Sequence, residues 1–114
     1  MVTINTLPEF TRRAKRLAKK YQSFKEDLRH LVESLQQNPM QGVSLGKGGV
    51  YKVRMSIAAK GGGKRGGARV ITFVVNMTSP GSYEVTLLTI YDKSEIQNVS
   101  DSYLKSLIET LSSN

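Results

Sequence analysis

Cysteine is absent from the 114 residues, and with it any disulfide framework, thiolate nucleophile or thiolate metal site. The expected location is therefore a reducing one, the cytoplasm. No apolar run approaches bilayer-spanning length, and the opening MVTINTLPEF lacks the basic stretch and long apolar core of a signal peptide, so no membrane association is expected. There is a single histidine, His30, which excludes the two-histidine arrangement for RNA cleavage; next to the apolar stripe of its segment it reads as a surface or boundary residue. The scattered carboxylates show no metal-ligand spacing, and the glycine cluster lacks the Ser or Thr that follows the lysine of a nucleotide-binding P-loop, so neither a metal nor a cofactor is expected. No internal repeat or long linker divides the chain, and residues 1–114 are expected to form one domain.

Acidic residues are missing in a more telling way. Between Ser34 and Tyr83 there is no Asp or Glu, while Lys47, Lys52, Arg54, Lys60, Lys64, Arg65 and Arg69 all fall in that stretch. The net charge of +8 is split as +4 over residues 1–33, +7 over 34–83 and −3 over 84–114. A positive middle and a negative end speed encounter with polyanions, although a solvated basic surface gives the same count.

Along the chain, Val2 and Ile4 alternate with polar residues as in a short strand. Thr6-Leu7-Pro8-Glu9 has capping-box spacing and predicts a helix with Phe10, Ala14, Leu17, Ala18 and Tyr21 as its stripe and a basic opposite face. Ser23-Phe24-Lys25-Glu26 repeats that spacing, predicting a second helix that ends at Asn38-Pro39, and the two should form an antiparallel hairpin. Val50 to Ile57 alternates with Lys52 and Arg54 on one face. Ala68 to Met77 and Tyr83 to Tyr91 are apolar on both parities, as interior strands are, and Ser100 or Asp101 should cap a third, C-terminal helix. The expected fold class is α+β: an antiparallel sheet of about four strands, helices on one face, and Lys52 and Arg54 on the other.

Lys52, Arg54, Arg69 and Lys93 form the sharpest constellation, since a meander brings the ends of its strands together. Cations forced close depress one another's pKa, the condition under which a lysine serves as general base, while arginine grips phosphate oxygens in two places. Tyr91, at a strand end, can stack on a base, reach a phosphate with its hydroxyl, or pack as core. Lys47, Lys60, Lys64 and Arg65, in or near glycine-rich segments, are the residues expected to bind RNA, and Gly61 to Gly67 reads either as a mobile tip approaching a phosphate backbone or as a solvated turn.

Val50-Tyr51-Lys52-Val53-Arg54, Gly61 to Gly67, Ala68-Arg69-Val70-Ile71 and Leu87 to Glu95, in that order, resemble the RelE superfamily of type II toxin–antitoxin systems, in particular its HigB-like branch. The resemblance runs from about the first helix to Val99. It implies a RelE-like fold with two N-terminal helices on one face of the sheet, and a bacterial toxin that inhibits translation by cleaving mRNA in the ribosomal A site. The implied partners are mRNA, the ribosome and a neutralising antitoxin protein. By resemblance Lys52 assists catalysis, Arg69 stabilises the phosphate, and Lys93 stands where the family has an arginine. Arg54 replaces a frequent lysine, which moves the role of base to Lys52. Some relatives carry a tyrosine where this chain has Asn98 and Val99; either Tyr91 substitutes for it or stacking is supplied differently. Two other readings stay open: a ParE-like toxin that inhibits gyrase through protein binding, and a noncatalytic RNA-binding module. The cationic cluster speaks against the first, whereas charge alone does not decide the second.

Overall fold

Five strands and three helices follow the order β1 (Val2–Thr6), α1 (Pro8–Lys20), α2 (Phe24–Gln37), β2 (Val43–Ser44), β3 (Val50–Met55), β4 (Ala68–Asn76), β5 (Tyr83–Asp92) and α3 (Asp101–Ser112) in the computed structural model, which describes residues 1–63 and 65–112. The strands make one sheet in the order β1-β5-β4-β3-β2. β2 to β5 are antiparallel to their neighbours, but β1 runs parallel to β5, with Val2 opposite Tyr83 and Thr6 opposite Leu87. The sheet is thus mixed and has one strand more than the four expected. A parallel partner that precedes β5 by most of the chain leaves no hairpin signal to read. Among the described residues no helix is long and apolar enough to cross a membrane.

Helices cover both faces rather than one. Phe10 and Leu17 of α1 and Phe24, Leu31 and Leu35 of α2 pack with Val53, Met55, Val70, Val85, Leu87 and Ile90 on the first face. On the second, Leu104 and Leu107 of α3 close over Val50, Ile71, Leu88 and Tyr91. The double burial is why β4 and β5 read as apolar on both parities. A bulge serves it: Ile71 faces Thr89 and Thr72 faces Leu87, so Leu88 is an extra residue, and Leu87 and Leu88 enter opposite cores.

The helix starts fall where the sequence places them, but the first two do not use the expected caps. Leu7, not Thr6, caps α1, and it makes no side-chain cap bond. Ser23 caps α2 in helical conformation; its hydroxyl donates to Asp27 at 2.7 Å and accepts the Ala59 amide at 2.9 Å, joining α2 to the turn after β3. Only α3 has the expected cap, the Tyr103 amide donating to Ser100 Oγ at 3.1 Å.

Glu9, freed from capping, ties α3 to α1. Its carboxylate accepts from Tyr103 and from Arg12 and Arg13, and Tyr103 also meets Thr89 of β5 at 3.0 Å. The Tyr103 hydroxyl and then Arg13 lower the Glu9 pKa from 4.5 to about 2. Because the folded value lies below the unfolded one, this stabilisation is complete above the ordinary carboxylate range and disappears as pH falls from about 4.5 to about 2. Unfolding free energy should drop across that window by roughly 2 kcal/mol from this group. Glu9→Gln should flatten that part of a stability–pH profile measured by denaturant titration.

Candidate functional site

The alternation of β3 puts Lys52 and Arg54 on the same face as Val50, the face that α3 partly covers. Strand register carries the pattern across the sheet. Arg54 is directly opposite Arg69, and Arg69 is directly opposite Tyr91, so three of the residues singled out in the sequence form one transverse row over β3, β4 and β5. Directly opposed residues have Cβ atoms about 5 Å apart, and like charges in that position repel. Lys52 stands two residues along β3, in the row of Ile71 and Thr89.

Arg69 is 5% exposed, and its guanidinium donates to the main-chain oxygens of Ala68 at 3.1 Å and Arg65 at 3.0 Å. Burial, and then the charge of Arg54, lower its pKa, though an arginine remains cationic under such shifts. Arg54 is exposed and forms no ion pair among the described residues. An anion between these two guanidiniums would relieve their repulsion and could be gripped from two sides.

Lys52 is half-buried and donates to Asn98 Oδ1 at 3.1 Å. Beside it lies a cleft of about 400 Å³, with Ile71 and Leu104 as apolar lining and Lys52, Tyr91, Asn98 and Asp101 as polar lining. Tyr91 is 2% exposed and packed in the α3-side core, so its ring offers no open face for stacking on a base. Its hydroxyl is buried with no hydrogen-bond partner among the described residues. Burial pushes its pKa up, against the smaller opposing effect of Arg69. An unpartnered buried hydroxyl is destabilising, so Tyr91→Phe is expected to leave thermal stability unchanged or raise it by up to about 1 kcal/mol. If the hydroxyl contacts substrate, the same change lowers activity, and measuring both separates a contact residue from a packing one.

Lys93 lies one step beyond β5, where its amide donates to Gly67 O at 3.1 Å and prolongs the β4–β5 ladder. Its side chain is exposed, at the end of the sheet rather than in the cleft. Of the four residues expected to grip RNA, Lys47 approaches Asp101, a residue of the cleft lining, at 3.7 Å, Arg65 is exposed at the turn before β4, and Lys64 lies outside the described residues. Lys60 is placed quite differently from the expectation of an open loop. It ends a short 3-10 turn, Ala58–Lys60, and its amine is 2.6 Å from Asp92 Oδ1 with only 15% of the side chain exposed.

Asp92 is a residue the sequence reading missed. Fully buried in its side chain, it accepts the Tyr21 hydroxyl at 2.5 Å, the Lys60 amine, and the Ser94 amide and hydroxyl at 2.9 and 2.7 Å. Burial alone would raise its pKa, but Lys60, Tyr21 and Ser94 outweigh it and hold the carboxyl well below its usual range. The network lies on the α1 side of the sheet and fixes the end of β5 against the turn after β3, thereby spacing the strands that carry the cationic row. An acid closing a mostly apolar strand was the available signal. Asn98 had none, since it lies in irregular chain between β5 and α3.

Among the described residues no three His, Asp or Glu side chains gather as metal ligands would. Comparison with models of known protein families finds none that matches the chain.

Proposed function

We propose that this chain is an endoribonuclease toxin of the RelE superfamily, in its HigB-like branch, which cleaves mRNA at the ribosome in the bacterial cytoplasm and is neutralised by a cognate antitoxin protein. The observation that carries the reading is the Arg54–Arg69 pairing across β3 and β4, with Lys52 two residues away on the same face. Two opposed guanidiniums suit a phosphodiester, and the motifs that resemble the family include all three residues.

In the proposed reaction the 2′-hydroxyl of the RNA attacks its adjacent phosphorus. Lys52 accepts the hydroxyl proton, the new O2′–P bond forms, and the P–O5′ bond breaks. The products are a 2′,3′-cyclic phosphate and a 5′-hydroxyl, with no other reactant required. Arg54 and Arg69 stabilise the charge that builds up on the phosphate oxygens, commonly the largest contribution to such catalysis. Tyr91, a residue of the cleft lining, and exposed Lys93 are the two candidates for proton donor to the departing 5′ oxygen. Arg65 and Lys64 contact ribosomal RNA, and Lys47 reaches RNA when it leaves Asp101. Binding through these cations should weaken steeply with salt.

A translating extract tests the reading. The purified protein should cut ribosome-bound mRNA into fragments ending in 2′,3′-cyclic phosphate. Intact mRNA with a block of DNA supercoiling would instead support the ParE-like inhibitor. RNA binding with neither effect would support the noncatalytic module.

A further inference from the structure

We propose that the cleft between α2 and the uncovered edge of β3 binds the nucleoside adjacent to the scissile phosphate in single-stranded RNA, an inference that rests on the ribonuclease reading above. β2 pairs with β3 only at Tyr51 and Lys52, so among the described residues Val53–Met55 has no strand on its outer side. The Val50 carbonyl accepts from Leu45 on that edge, and the Lys52 carbonyl points outward against Gly42. Alternation therefore turns the N–H and C=O of Arg54 to the same edge, beyond the reach of β2. This main-chain pair borders a cleft of about 250 Å³ whose lining includes Arg54 itself.

The composition of the cleft suits a nucleoside. Leu31 and Met55 are the apolar residues of the lining, and most of each belongs to the core beneath it. The Gln41 amide nitrogen donates to Ser34 Oγ at 2.8 Å and Asn38 O at 3.2 Å, which holds the side chain in place with its amide oxygen left as an acceptor. Together with the Arg54 main chain it offers donors and acceptors to a base edge. His30 and Ser56 stand on the rim, where ribose hydroxyls and phosphate oxygens would lie. The His30 imidazole is 3.7 Å from Glu26 and 64% exposed. The carboxylate in the lining, Asp27, already accepts the Ser23 hydroxyl and the Ala58 amide. Arg54 joins this cleft to the phosphate row, since the same residue opposes Arg69. The open edge spans three residues before the 3-10 turn, too short to favour addition of a peptide strand.

His30 is the only histidine, so its ring signal in the NMR spectrum is an unambiguous reporter. The isotope-labelled full chain would be titrated with a 2′-O-methyl tetranucleotide, which lacks the attacking hydroxyl. The His30 ring, the Gln41 side-chain amide and the Arg54 main-chain amide are expected to shift together with Arg69 in one saturable step. His30→Ala and Gln41→Ala should each weaken binding about three- to tenfold, with thermal stability unchanged. Shifts at Lys52 and Arg69 with His30 and Gln41 unmoved would overturn the cleft assignment and leave the RNA reading intact. Absence of binding at every signal would overturn both.

Discussion

Lys52→Ala is expected to reduce RNA cleavage by about 10²–10⁴-fold, the range for loss of a positioned general acid or base. Folding should be almost unaffected. The Lys52 amine has an exposed bond to Asn98, and an amide left without it is rehydrated, so the change in stability should stay within about 0.5 kcal/mol. Lys52→Arg refines the test because arginine keeps the charge but cannot accept the proton. Activity as low in Lys52→Arg as in Lys52→Ala identifies proton transfer, whereas substantial recovery identifies charge stabilisation. Cleavage by Lys52→Ala within a few-fold of wild type would remove Lys52 from the site. Arg69→Ala is a poorer probe. Arg69 is buried and bonded to the Ala68 and Arg65 carbonyls, so its removal confounds catalysis with packing.

The largest effect on stability is expected at Asp92. Asp92→Ala leaves the Lys60 ammonium in a largely enclosed site and takes the partner from the Tyr21 hydroxyl. Breaking a buried pair from one side destabilises by roughly 3–5 kcal/mol, a large share of the 5–15 kcal/mol typical of a whole domain. Thermal unfolding should show a fall of roughly 10–20 °C for a chain of this size. Combining Asp92→Leu with Lys60→Met removes both charges, and should recover much of the loss because hydrophobic replacement of a buried pair is often neutral. If Asp92→Ala melts within two or three degrees of wild type, the network is not a structural tie. Lys60 would then be available to the role in RNA contact that the sequence suggested.

Periodicity made most of the elements legible. Phe10, Leu17, Phe24, Leu31 and Leu35 all lie in the core that their helical spacing predicts, and the stripe from Tyr103 to Leu111 packs on the sheet as expected. Lys52 and Arg54 share a face because a strand has a period of two, and the hairpin logic of a meander brought Arg69 beside them. The rest was hidden for physical reasons. Capping-box spacing at Thr6 and Ser23 marks where a helix starts but not which partner a side chain chooses, and Glu9 and Ser23 both bind residues distant in sequence. The second helical layer was implicit in the apolar parities of β4 and β5, yet nothing local assigns α3 to that face. Tyr91 was ambiguous for the same reason, since its burial depends on a helix that begins ten residues later. Lys60 looks identical in sequence to a loop cation, and only the fold brings it to Asp92.

The parallel pairing of β1 with β5 also bears on how the chain assembles. β3, β4 and β5 can zip together through short connections, but β1 must close a loop of about 80 residues before its first ladder bond forms. Closure over that separation is entropically unfavourable and slows folding. The meander bearing the cationic row is therefore expected to consolidate first, and Val2–Thr6 to dock last. Mutations in β1 should then chiefly accelerate unfolding and leave the folding rate nearly unchanged.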